Sequence, residues 1–225
     1  MSRMIDIGPS PFDVRLVAFR IPVRVHWSFW LAAILLGWVP DRADLVFIWV
    51  VCAFFSVLVH ELGHAITAEW FGWPTEIVLY FGGGVAISNR LLNNTPGRSM
   101  FVSFMGPGAG FLFLGLVMAV DIALQIYRVP MNEHVESTIG ALMFMNLFYG
   151  LFNLLPVVPL DGGHICYSLC QWFRLRDPIG ITMKIGIVVS GAAAYFLFTR
   201  FHQQFAGAMM LMLCIQRISE LQSRR

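Results

Sequence analysis

Charge is the first thing this chain is short of. Only 12% of its 225 residues are Asp, Glu, Lys or Arg, about half of the ~25% usual in soluble domains. The formal net charge of +2 is too small and too scattered to point to nucleic acid. Cysteine is scarce too. Cys52, Cys166, Cys170 and Cys214 all lie in apolar stretches, which excludes a disulfide framework and leaves them as small buried hydrophobes. Cys166 and Cys170 follow His164 closely, but no further thiol is near in sequence to complete a soft-metal site. Residues 1–25 hold Arg3, Arg15, Arg20 and Arg24 with no apolar core between them. No cleavable signal is read there, and the first membrane segment is expected to act as its own insertion signal. Internal repeats and low-complexity segments are missing as well.

What the chain has instead is apolar length. It is 58% hydrophobic with a mean hydropathy of +0.72. This predicts an α-helical polytopic membrane protein, a single domain over residues 1–225. About six transmembrane helices are expected, with a small membrane-associated β-sheet between the second and third. The spans read as 27–39, 45–71, 100–124, a fourth from near Thr138, 179–198 and 205–215, the last short enough to be re-entrant. Residues 1–26 form an interfacial segment, in which 20–26 alternate apolar and polar as a strand or strap would. Residues 72–98 form a β-rich loop, with two short strands between Glu76 and Ser88 and a glycine bend at Gly82 to Gly84. Six spans place 12 of the 15 Lys and Arg on one side. The positive-inside rule then sets both termini in the cytoplasm, in the cell's inner membrane.

Inside the second span stand His60-Glu61-Leu62-Gly63-His64, an H-E-x-x-H pattern. Helical positions four apart share a face, so both imidazoles can address one ion. Glu61 sits about 100° round from His60, within reach of a water on that ion. Each ionisable group at mid-bilayer costs about 2.5–3.5 kcal/mol on insertion scales, which makes three within one turn a functional signal. A catalytic zinc takes three protein ligands and an open position.

Two prolines, Pro156 and Pro159, break the fourth span just before Leu160-Asp161-Gly162-Gly163-His164. Asp161, a carboxylate at a helix break in an apolar region, is the best third ligand; capping the helical piece that follows is its other reading. His164 would replace Asp161 as ligand or hydrogen-bond one. Glu61 is placed to take a proton from water as general base and to pass it to a leaving amine. Asn153 is a donor for the developing oxyanion, or else a helix–helix hydrogen bond. The Gly106–Gly110 run (G-P-G-A-G) reads as a small-residue packing surface with a proline kink.

H-E-L-G-H on a membrane helix, followed about a hundred residues later by N-L-L-P-V-V-P-L-D-G-G, resembles the site-2 protease family of intramembrane zinc metalloproteases. V-H-W-S-F at 25–29, F-G-G-G-V-A at 81–86 and G-P-G-A-G at 106–110 are similar to further family segments. Gly110 stands where that family commonly has asparagine, and His164 where arginine is expected. The resemblance implies one Zn2+ held by His60, His64 and Asp161, with Glu61 as base and Asn153 contacting substrate. It implies cleavage of membrane-spanning protein substrates, contact with membrane lipid and no nucleic acid; it leaves a homo-oligomer open, and a minimal form without PDZ or CBS domain is expected. Diiron desaturases need about eight clustered histidines, and this chain has six. The non-enzymatic alternative is a metal-ion transporter using the same His/Asp cluster as a transport site.

Overall fold

The computed structural model describes residues 8, 10–88 and 93–224. Arg3, Arg90 and Arg225, which entered the charge count above, lie outside the described residues, as do the other residues of 1–7, 9 and 89–92. The chain divides into two compact units, one formed by 1–91 with 108–148 and the other by 92–107 with 149–225.

The first unit holds a four-stranded sheet ordered β1-β2-β3-β4. Strands β1 (Val14–Ala18) and β2 (Ile21–Val25) form an antiparallel hairpin. Its two-residue loop, Phe19-Arg20, has positive φ at both positions, 51° and 69°. That is the backbone of a type I′ turn, which usually selects Asn and Gly. Just before β1, the Asp13 carboxylate is almost fully enclosed and accepts from Arg24 Nη1 at 3.1 Å and from the Ser10 N–H at 3.0 Å. β2 then pairs in parallel with β3 (Thr75–Tyr80), Val23 opposite Ile77. β3 turns antiparallel into β4 (Gly83–Ser88). On β2 the side chains of Ile21, Val23 and Val25 are buried, at alternating positions. On β3, Ile77, Val78 and Leu79 are buried in succession, as expected of a strand covered on both faces.

Between β2 and β3 come α1 (Trp27–Leu36) and α2 (Ala43–Trp70). His26 caps α1, its ring accepting from the Ser28 N–H. Gly37 ends that helix and leaves its Cβ space to the Trp49 indole of α2. At 10 residues α1 is about 15 Å long, too short to cross a bilayer core of about 30 Å alone. α2, with 28 residues, is about 42 Å long. Ala65 and Ala68 on α2 are fully buried, and the sheet packs along that helix.

Helix α3 (Pro96–Ile126) begins inside the stretch expected to be a loop, and Pro107 lies within it. α4 (Glu133–Asn153) begins one turn earlier than Thr138, because Glu133 and Glu136 suit the positive end of a helix dipole. The second unit contains α5 (Asp161–Trp172), α6 (Pro178–Thr199) and α7 (Gln204–Gln222). Asp177 caps α6 through the Gly180 N–H at 3.0 Å, with Pro178 at the first helical position. Val157, Ala194, Met210 and Leu213 form the core of this unit, so the turn before α5 is held by α6 and α7.

Among the described residues four helices, α2, α3, α4 and α6, are long and apolar enough to cross a membrane. They leave large apolar side chains exposed, Phe47, Leu112 and Val188 among them. The sheet draws two of its four strands from the N-terminal segment, so it is not confined to the stretch between the second and third spans. β1 was not anticipated.

Candidate metal centre

α2 carries the H-E-x-x-H residues two-thirds of the way along its length, where the helix is most enclosed. His60, Glu61 and His64 are 2%, 3% and 8% exposed. The two imidazoles face each other, Nε2 to Nε2 at 3.2 Å, with their ring planes at 79°. Two nitrogens each about 2.0–2.1 Å from one tetrahedral zinc stand about 3.3 Å apart. The pair therefore has the spacing that one zinc requires.

Glu61 points to the sheet rather than along the helix. A Cβ placed on Gly84 of β4 would lie 2.6 Å from Glu61 Oε1 and 2.7 Å from Cδ. The glycine is what lets the strand backbone come down onto this carboxylate. Tyr80, at the end of β3, is half-buried; burial raises its phenol pKa above the usual value, and the charge of Glu61 adds to the shift. The sequence analysis reads the glycine triplet as the bend between two short strands and does not connect Gly84 with Glu61. The extra signal lay in the coincidence of three glycines with a strand pattern, since a bend needs only one.

Asp161 opens α5 and follows the Val158–Pro159 bond, which is cis. The two glycines after it are demanded by close packing on the preceding turn. A Cβ on Gly163 would lie 2.6 Å from the Val157 carbonyl carbon, and one on Gly162 would meet the Leu154 carbonyl. The N–H groups of Gly163 and His164 reach back to the Leu160 carbonyl at 3.0 and 3.3 Å, closing the first turn. His60 and His64 stand on α2 in the first unit, and Asp161 opens α5 in the second. Two imidazoles and a carboxylate are a donor set that zinc accepts.

Asn153 is the last residue of α4, and its Nδ2 donates to the Tyr149 carbonyl one turn back at 2.9 Å. The carboxamide keeps a second N–H. His164 is half-buried on α5. Asn146, seven residues before Asn153, bonds Ser56 of α2, a contact the sequence did not disclose.

Comparison with known proteins places these residues in company. Residues 48–131 and 122–198 match the family described as Peptidase family M50. A putative zinc metalloprotease, sll0528, from Synechocystis sp. is 34% identical over 166 residues, 67% of this chain and 42% of the relative. The putative zinc metalloprotease Rip3 of Mycobacterium tuberculosis is 35% identical over 174 residues, 70% of this chain and 43% of the relative. This chain thus spans less than half the length of these two relatives. The solved structure of a site-2 protease from Methanocaldococcus jannaschii shares the fold, with a TM-score of 0.64 over 93% of this chain and 95% of that one at 23% identity.

Proposed function

The chain belongs to peptidase family M50, and we propose that it is an intramembrane zinc metalloendopeptidase that hydrolyses peptide bonds in or near the transmembrane segments of membrane-anchored proteins. It is an integral membrane protein, with four helices of membrane-crossing length and apolarity among the described residues. The observation that carries the proposal is the pair of imidazole nitrogens at zinc-ligand spacing, buried on an apolar helix of membrane-crossing length.

His60, His64 and Asp161 are the proposed ligands of one Zn2+, supported by the zinc-ligand spacing of the two imidazoles and by a carboxylate at the broken helix before α5, a donor set that zinc accepts. Zinc held there supplies Lewis acidity, lowering the pKa of water and polarising a peptide carbonyl. The protein's own part begins with Glu61. Its carboxylate accepts a proton from the attacking water and returns it to the leaving amine nitrogen. Gly84 keeps the β4 backbone against that carboxylate, which limits its rotamers and the entropy lost on reaching the reactive geometry. Asn153, with one carboxamide N–H still to give, is the proposed contact to substrate or oxyanion. The fold we assign to this activity is one protease domain with six membrane segments, lipid around it and both termini cytoplasmic. The distribution of arginines supports that orientation.

A metal-ion transporter would use the same His/Asp cluster without needing a base. The relatives above that are named by activity are metalloproteases. Replacing Glu61 by Gln separates the two readings. The variant is expected to retain one zinc per chain, by elemental analysis, and to lose cleavage of a helical membrane substrate in detergent. Cleavage at the wild-type rate would end the proposal.

A further inference from the structure

One turn from His60, on the same face of α2, lies a polar contact that the reaction scheme does not use. Ser56 and Asn146 of α4 are each 2% exposed. Asn146 Nδ2 donates to Ser56 Oγ at 3.0 Å and to the Leu142 carbonyl at 2.8 Å. The second bond fixes the carboxamide's orientation, since a carbonyl can only accept. Asn146 Oδ1 is therefore an acceptor, and it is buried with no hydrogen-bond partner among the described residues. Ser56 is left with the opposite deficit. Thr67, Thr182 and Ser190 return their hydroxyl protons to the carbonyl four residues back. Ser56 does not; its oxygen is occupied as an acceptor and its proton has no acceptor among the described residues.

An unfilled acceptor beside an unfilled donor, both enclosed, is the signature of a group that bridges them. Gly110 of α3 leaves room for one. A Cβ there would stand 3.7 Å from Asn146 Oδ1 and 3.9 Å from the Asn146 backbone carbonyl. Those are ordinary contact distances, so the space over Oδ1 is about one atom deep. A single water fits the chemistry. It accepts from Ser56 and donates to Asn146 Oδ1 and to the Asn146 backbone carbonyl, whose second lone pair is open.

We propose that Ser56, Asn146 and the hollow at Gly110 form a water-binding site within the apolar part of the protein, one helical turn from His60, which stocks the hydrolytic centre with solvent. The supply role rests on the protease reading; the water site does not. Four residues of α2 separate Ser56 from His60, about 6 Å of helix, so a water released here has a short path to the base at Glu61.

The test is nuclear magnetic resonance on the full chain in lipid nanodiscs, with the Asn146 side-chain amide assigned. Wild-type protein, with or without zinc, is expected to show magnetisation transfer between water and the Asn146 carboxamide protons. Gly110→Ala, whose methyl meets only ordinary contacts, is expected to abolish that transfer, hold one zinc per chain and lower kcat severalfold with KM unchanged. Ser56→Ala, a smaller change, should weaken the same signal. Wild-type protein without the signal would overturn the water site. A lost signal with unchanged kcat would overturn the supply role. Failure of wild-type protein to cleave any membrane substrate would sink the protease reading and the supply role together, and leave the spectroscopic result for the site intact.

Discussion

Glu61 is confined from above by Gly84. An alanine there would place its methyl 2.6 Å from Oε1, so either the strand lifts or the carboxylate turns. A shift of about 1 Å in a catalytic group costs about 10²-fold. Gly84→Ala is therefore expected to lower kcat by about that factor while zinc content stays at one per chain, measured by elemental analysis beside steady-state kinetics. Asp161→Ala should do the reverse and lower zinc stoichiometry. Full zinc occupancy in that variant would point to another third ligand. H-E-x-x-H was readable in advance because a helix fixes the relation of residues one and four apart without help from the rest of the fold. The constraint of Gly84 on Glu61 and the bond from Asn146 to Ser56 were not, since each joins residues far apart in sequence, 23 and 90 positions.

At the scale of elements, the β1–β2 hairpin carries the clearest local conflict between sequence and backbone. Phe19 and Arg20 occupy the left-handed region, where a bulky residue costs about 1–2 kcal/mol. Replacing the pair by Asn-Gly is expected to raise the melting temperature by a few degrees, read by thermal unfolding in detergent. Asp13 fastens the start of this hairpin. Burial alone would raise its carboxyl pKa, but the Ser10 N–H and the Arg24 guanidinium outweigh that and hold it below the ordinary range. A lowered folded-state pKa contributes stability above the unfolded value of about 3.9 and loses it as pH falls through the folded one. Asp13→Asn should thus be less stable than wild type at neutral pH, and the gap should close in acid. The hairpin also shows the reach of sequence reading. Residues 20–26 alternate visibly and became β2, whereas V-R-L-V-A, β1, has its side chains largely exposed and offers no buried face to read. The first span was expected over 27–39. The helix stops at Leu36 because Gly37 must lie against Trp49, a contact between elements.

For the whole molecule, the proposed zinc ties folding to metal. A ligand that binds only the folded state at 100 times its Kd adds about 2.7 kcal/mol. Chelation is expected to lower the melting temperature of wild-type protein and to leave that of Asp161→Ala nearly unchanged, by differential scanning in the same detergent. Equal shifts in both would remove Asp161 from the ligand set. The four long helices were legible from apolar length alone. The sheet was half legible, because strand pairing depends on partners the sequence does not mark.

The parallel pairing of β2 with β3 imposes an order of events on biosynthesis. Val23 meets Ile77 only after α1 and α2 have both been made, 54 residues further along. At about 5–20 residues per second the first hairpin waits several seconds with one flank unsealed. During that wait β2 is a sticky edge for any extended chain nearby. Nascent protein halted before residue 75 should therefore be the form most in need of a chaperone.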